Sequence, residues 1–265
     1  MAIRGFLEHP PFEPIGGWIK PFVQELPRAS VRKHSGAALP MISVVIPAHN
    51  EERYLPATLE ALQNQSYRGF EIIVVANGCS DKTAKIARER CHRLIILATR
   101  SLGMARNLGA RAARGDLLLF LDADTLLEPR ALRVIAEEFS PAEAAGTLHA
   151  RPDGDRLACQ IIYRFKNLMH RWKLHTGSSG VILCWKEHFE KTGGFDEGLE
   201  VRENSELIRR LKRFGRYRYI SSVSATTSMR RYEQRGVGRV LWLWLRLWIQ
   251  SLVGDLHQRH YEAVR

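Results

Sequence analysis

Residues 115–125 read GDLLLFLDADT, in which five apolar residues, Leu117 to Leu121, run directly into Asp122-Ala123-Asp124. A short unbroken apolar run with a glycine before it and acid behind it fits a strand buried on both faces. Similar runs lie upstream: Ile42–Ile46 (ISVVI), Glu71–Val75 (EIIVV) and Arg93–Leu97 (RLIIL). Between them the apolar period changes to that of a helix. Leu55, Leu59 and Leu62 mark one helix, DKTAKIARERC, capped by Ser80 or Asp81, a second, and Leu102, Ala105, Leu108 and Ala112 a third. Pro129 opens another, through Phe139. Strand–helix alternation predicts an α/β fold with a mostly parallel central sheet flanked by helices.

In such sheets ligands bind beyond the carboxyl ends of the strands. Three polar clusters fall there: Pro47-Ala48-His49-Asn50-Glu51, Asn77-Gly78-Cys79-Ser80-Asp81 and Asp122-Ala123-Asp124. Carboxylate oxygens suit hard cations such as Mg2+ or Mn2+, which keep positions open for phosphate. The competing reading of Asp122 and Asp124 is a polar turn that caps the next helix.

The second half is less regular. Gly177–Trp185 reads as loop and strand, Lys186–Thr192 as a short helix stopped by Gly193-Gly194, Ser205–Phe214 as a helix, and Arg216–Ile220 as an alternating edge strand. Six prolines within residues 1–40 indicate an irregular N-terminal arm. The predicted organisation is therefore that arm, a catalytic domain over 41–225 and a basic C-terminal segment over 226–265. The domain divides into about 41–128 and about 129–225.

The formal charge is +12, and residues 201–265 carry 14 Lys and Arg against 5 Asp and Glu. That balance favours anionic partners. No recognition-helix motif, zinc spacing or RNA-binding aromatic signature accompanies it, so nucleic acid is not an expected partner. Cys79, Cys91, Cys159 and Cys184 show no CxxC spacing and read as free thiols of a reducing, cytoplasmic compartment. Val240–Gly254 (VLWLWLRLWIQSLVG) is too short to span a bilayer and carries Arg246 at its centre. As a helix it would place Leu241, Trp244, Leu245 and Trp248 on one face. Three readings stand: a helix in the inner membrane surface, packing on the chain's own core, or a dimer interface.

Four stretches in order resemble the family 2 glycosyltransferases, which have the GT-A fold: SVVIPAHNEERYLPATLEAL, EIIVVANGCSDKTAKIA, GMARNLGARAARGDLLLFLDADT and GGFDEGLEVRENSELIRRLKRFG. The resemblance covers Ile42 to Tyr219 and implies an inverting hexosyltransferase that takes a nucleotide-sugar donor, Mg2+ or Mn2+, and an acceptor hydroxyl on a lipid-linked molecule or glycan. The resemblance of its motifs would make about 41–128 the nucleotide half and about 129–225 the acceptor half. By position it implies that Pro47, Ala48, Asn50 and Glu51 border the nucleoside and that Asn77 lies beside base or ribose. Gly103, Arg106 and Asn107 would back the nucleotide. Asp122 and Ala123 would contact sugar or ribose, with Asp124 as metal ligand and Asp122 beside it. Arg230 and Arg231 would close over the diphosphate, and Gly194, Phe195 and Asp196 would face the acceptor. Bland alternatives accompany these roles: a surface ion pair for Arg106 and a basic turn for Arg230 and Arg231.

Two positions depart from the pattern. Ala76 stands where many relatives have Asp, which removes a carboxylate that could pair with a pyrimidine N–H. Asn204 stands where relatives carry the Asp that takes the acceptor's proton, and an amide is no general base at neutral pH. Glu203 is the favoured replacement, with Glu206 and Asp196 as alternatives; the competing role for Glu203 is a favourable charge at a helix N-terminus. A catalytically inactive relative that binds a sugar nucleotide or a partner is the second functional expectation.

Overall fold

The computed structural model describes residues 22–25, 39–172, 177, 180–199, 202–230, 232, 236 and 238. Its elements in chain order are β1 (Phe22–Glu25), β2 (Ile42–Ala48), α1 (Leu55–Gln63), β3 (Phe70–Asn77), α2 (Thr83–Arg90), β4 (Arg93–Leu97), α3 (Leu102–Ala112), β5 (Leu117–Leu121), β6 (Thr125–Leu127) and α4 (Ala131–Glu138). There follow β7 (Glu143–Pro152), α5 (Leu157–Arg171), β8 (Val181–Trp185), α6 (Lys186–Lys191), α7 (Glu203–Leu211) and β9 (Arg216–Thr227).

The four apolar runs of the first half become β2 to β5, and they are parallel neighbours in the order β4-β3-β2-β5. Parallel neighbours need a crossover, and α1, α2 and α3 supply one after each strand. Helices cover both faces, so the strands are apolar throughout. Ile42, Val44, Ile46 and Ala48 of β2 enter a core with Leu55, Leu59, Leu62, Leu132 and Ile135 of α1 and α4. Val45 faces the other way, into a core with Ala105, Phe189, Leu207 and Leu211. The one carboxylate within these runs is accounted for: buried Glu71 accepts from Ser43 Oγ at 2.7 Å and Arg114 N at 2.6 Å.

The second half extends the same sheet. Its full order is β1-β4-β3-β2-β5-β8-β7-β9-β6. β8 runs antiparallel to β5 and β7, β9 is parallel to β7, and β6 is antiparallel to β9. The edge strand read at Arg216–Ile220 is the first part of a longer one. β6 adds onto its far end through Ala225–Thr227, so that end is an interior position. Phe22–Glu25, inside the proline-rich arm, is a strand rather than irregular chain, antiparallel to β4. Helix α5 went unread in the sequence. It turns Cys159, Tyr163, Asn167 and His170 inward, and Asn167 brackets Ala150 of β7, accepting from its N–H at 3.1 Å and donating to its carbonyl at 2.8 Å. The Trp-rich segment 240–254 lies outside the described residues.

Helix α3 lies close against β2 at Gly109, where a Cβ would sit 2.3 Å from Val45 Cγ1. Gly109→Ala gains helix propensity of about 1 kcal/mol. The clash with a fully buried β-branched side chain outweighs it, for a net loss of about 1–3 kcal/mol. The check is a lower denaturant midpoint at unchanged slope; an equal or higher midpoint refutes this packing.

Candidate functional site

The three polar clusters meet at the carboxyl ends of β2, β3 and β5. The turn after β5 is fixed from several sides. Asp122 N donates to Gly180 O at 2.9 Å, Thr125 N to Asp122 O at 3.1 Å, and Ser228 N to Asp124 O at 3.2 Å. Thr58 of α1 donates its hydroxyl to Ala123 O at 2.7 Å. Gly180, at φ +83°, leaves room for Thr125, whose Oγ1 would lie 2.5 Å from a Cβ. The two carboxylates therefore leave the sheet on a turn with little freedom.

Each carboxylate meets an arginine. Arg106 of α3 is 3 % exposed. Its Nη2 lies 3.2 Å from Asp122 Oδ1, and its Nη1 donates to Glu203 Oε1 at 3.0 Å and Asn204 Oδ1 at 2.8 Å. The guanidinium stacks over the Phe195 ring at 5.0 Å, and Phe195 in turn packs edge-on against Phe120 of β5. Arg230, after β9, makes a two-pronged pair with Glu51 at 2.6 and 2.7 Å and reaches Asp124 Oδ2 at 3.1 Å. It also lies over the Tyr54 ring at 4.7 Å. Burial works against the Arg230 charge, but the Glu51 hydrogen bonds and the Asp124 charge outweigh it and raise its pKa above the ordinary value.

The remaining expected residues tie together the loops that carry these charged side chains. Asn50, at φ 54°, accepts from Ser80 N at 2.9 Å and ties the first loop to the second. Asn77 Oδ1 accepts from Ser101 N at 2.8 Å, pinning the start of α3. Pro47 and Ala48 end β2 beside Val75 and Ala76. Asn107 faces the GGFDE loop: it accepts from Phe195 N at 2.8 Å and donates to Phe195 O and Glu197 Oε1, each at 2.9 Å. Gly103 allows the same loop to approach, since a Cβ there would lie 3.1 Å from Asp196 O. Gly194, at φ +80°, makes room for Asn107 Oδ1.

Of the three candidate bases, Glu203 is at the cleft through Arg106. Glu206 is turned along α7, where Arg210 Nε donates to both its oxygens at 2.8 and 3.0 Å. Asp196 Oδ1 accepts from Gly198 N at 2.9 Å within its own turn. Arg231 lies outside the described residues. Sequence reasoning missed Tyr54 and Thr58, although both lie in the first quoted motif on either side of Leu55. It placed His49 in the first polar cluster without a role; its Nδ1 bonds to Asn77 O at 2.7 Å and its buried Nε2 has no partner among the described residues.

The donor set fits a hard divalent cation. Mg2+ takes one or two protein carboxylates and completes its shell with water and phosphate oxygens. Among the described residues no cluster of three His, Cys, Asp or Glu forms, and that mode of binding requires none. The charge balance points the same way. Among the described residues, Asp122, Asp124, Glu51 and Glu203 face Arg106 and Arg230, four carboxylates against two guanidiniums.

Removing Arg106 would leave Asp122 and Glu203 without their shared cation. Arg106→Ala is expected to lower unfolding stability by about 2–4 kcal/mol. Arg106→Lys should recover less than half, because an ammonium cannot serve three acceptors from one plane. Denaturant unfolding of both variants measures this; a lysine variant as stable as the parent would show that charge alone matters.

Residues 43–233 match the family described as Glycosyl transferase family 2. Among curated relatives, the chain is 36% identical over 95 residues to a putative glycosyltransferase EpsH of Bacillus subtilis, covering 34% of this chain and 28% of that protein. It is 35% identical over 129 residues to a 4,4'-diaponeurosporenoate glycosyltransferase of Staphylococcus haemolyticus, covering 46% of this chain and 34% of that one. It is 24% identical over 203 residues to chondroitin synthase of Escherichia coli, covering 70% and 28%. The chain thus spans about a third or less of these relatives' lengths. Among solved structures it resembles the mannosyltransferase PcManGT of Pyrobaculum calidifontis, in complex with GDP-Man and Mn2+, with TM-score 0.64, 20% identity and coverage of 83% and 66%. It also resembles S. aureus TarS 1-349 in complex with UDP-GlcNAc, with TM-score 0.58, 20% identity and coverage of 83% and 61%. These likenesses show the fold to be the GT-A arrangement expected from the motifs. On the extent of the family match, the chain belongs to glycosyl transferase family 2.

Proposed function

We propose that the chain moves a sugar from a nucleotide-diphosphate donor to an acceptor hydroxyl by direct displacement with inversion. One observation carries the reading. Asp122 and Asp124 leave the carboxyl end of a buried parallel strand into a group in which, among the described residues, four carboxylates meet two guanidiniums. A donor diphosphate is itself anionic and would be repelled from such a group unless a cation entered with it. Asp124, with Asp122 beside it, would hold Mg2+ or Mn2+, which as a Lewis acid would stabilise the departing diphosphate.

The chain's own residues supply the rest. The first loop, Pro47 to Glu51, borders the nucleoside, with Asn77 behind it. Arg106 and Phe195 fix Asp122 against the sugar. Arg230 moves from Glu51 to the diphosphate through charge-assisted hydrogen bonds. Glu203 holds Arg106 through Oε1, and its second carboxylate oxygen takes the acceptor's proton. The relatives' names and the two neighbour complexes support a nucleotide-sugar donor as a class. They differ in base, and Ala76 removes the carboxylate that would favour a pyrimidine, so the proposal names no base. A glycan or lipid-linked acceptor suits the range of relatives.

A second reading, a binding protein without turnover, is favoured by Asn204, which donates no charge and accepts from Arg106 at 2.8 Å. Calorimetry with UDP-, GDP- and dTDP-sugars in Mn2+ or Mg2+ tests the first reading, and chelation should abolish the binding. Donor hydrolysis should fall by about 100-fold or more in Asp124→Ala, and Glu203→Gln should lower turnover while leaving donor affinity near the parent's. Absence of binding across the panel in both metals rejects the proposal. Binding without turnover on any acceptor selects the second reading.

A further inference from the structure

Helix α5 has its polarity reversed. The residues it turns inward are Cys159, Tyr163, Asn167 and His170. The residues it turns outward are Leu157, Ile161, Phe165, Leu168 and Trp172, exposed at 72, 56, 60, 38 and 61 %. At 3.6 residues per turn these five fall within about 80° of one another, a single apolar stripe along the helix. Arg164 and Arg171, both exposed, border the stripe on one side. No Asp or Glu occurs between Leu157 and Trp172. An apolar stripe of this kind on a water-facing helix marks an interaction surface.

Charge decides among the occupants. The C-terminal residues 239–265 carry four arginines against Asp255 and Glu262, so they would bring positive charge to a positive border. A second copy docked on a two-fold axis would set the same arginines against each other. An anionic bilayer offers an apolar interior for the stripe and opposite charge for the border, with tryptophan suited to the headgroup level. We infer that α5 is an in-plane docking helix for an anionic lipid surface, burying Leu157, Ile161, Phe165 and Leu168 among acyl chains with Arg164, Arg171 and Trp172 at the headgroups. No helix among the described residues is long and apolar enough to cross a membrane, and a helix lying in the surface needs no such length.

The docking has a consequence for the cleft. The inner face of α5 packs through Cys159 and Tyr163 on Ala150, Met229 and Tyr232, and Lys166 Nζ donates to Tyr232 OH at 3.4 Å. That segment carries Arg230. A bound α5 would therefore hold the segment carrying Arg230, which pairs with Glu51 and Asp124, on the face of the helix away from the lipid. An acceptor anchored in that lipid would have a short reach to the cleft.

The test is co-sedimentation of the full chain with phosphatidylcholine vesicles and with phosphatidylcholine–phosphatidylglycerol vesicles, without donor or acceptor, so its outcome is separate from that of the transferase assays. The parent should bind the anionic vesicles at least about tenfold more strongly than the neutral ones. Ile161→Ser combined with Phe165→Ser should lower anionic binding by more than about tenfold. Arg164→Gln with Arg171→Gln should lower it by about tenfold and weaken its salt dependence. All four positions are exposed, and an unchanged circular dichroism spectrum and melting temperature would show that the fold is retained. The inference is overturned if the parent does not bind, or if the serine variant binds as the parent does, which would assign any lipid binding to another segment such as 240–254. It is equally overturned if the parent is a dimer in sedimentation velocity and the serine variant a monomer.

Discussion

The buried guanidinium of Arg106 joins the two halves of this protein. It belongs to α3, in the parallel half, yet two of its three side-chain acceptors, Glu203 and Asn204, open α7 in the other half. A charge that is 3 % exposed has lost nearly all its water, and that loss costs several kcal/mol unless the geometry of its partners is good. Phe195 presses on one face of the group while Asp122, Glu203 and Asn204 occupy its edge. Displacing α7 would therefore strand a cation. The start of α7 and the turn after β5 hold their relative positions for an electrostatic reason rather than by apolar packing alone.

Arg230 is the counterpart with opposite properties. It is less buried, it reaches its partners from the end of β9, and its strongest contact, Glu51, lies on a different loop from Asp124. A guanidinium held by two carboxylates can exchange one anionic partner for another at little net cost when a phosphate arrives. Arg106 cannot do this without leaving the half-exposed Asp122 and the largely buried Glu203 carboxylates without the cation they share. Burial thus fixes Arg106, whereas under the proposed reaction the less buried Arg230 would change partners.

The parallel half of the fold was legible because its strands are buried on both faces, which makes ISVVI, EIIVV, RLIIL and LLLFL continuous apolar runs. β7 was not, since EAAGTLHARP carries small residues and ends in polar ones; it is a strand because β8 and β9 flank it. α5 was missed for a different reason: its apolar residues do recur at helical spacing, but toward water. The acidic turn after β5 could be found from its place behind a strand, whereas the pairing of Arg106 with Glu203, 97 residues apart, has no local signal. Asn107 shows the limit of motif position: it stands next to Arg106 in sequence, but one helical step turns it toward the GGFDE loop.

Asn204 has a physical role that its comparison with aspartate obscures. Its amide oxygen gives Arg106 a third side-chain acceptor at 2.8 Å without adding charge. Aspartate at the same position would add a fifth carboxylate to Asp122, Asp124, Glu51 and Glu203 and set a third on the Arg106 guanidinium. The amide thus satisfies the cation geometrically, and under the proposed reaction it would limit the repulsion met by an incoming diphosphate. Under the proposed reaction, proton acceptance would fall to the neighbouring carboxylate, Glu203, which is held by the same Arg106 guanidinium.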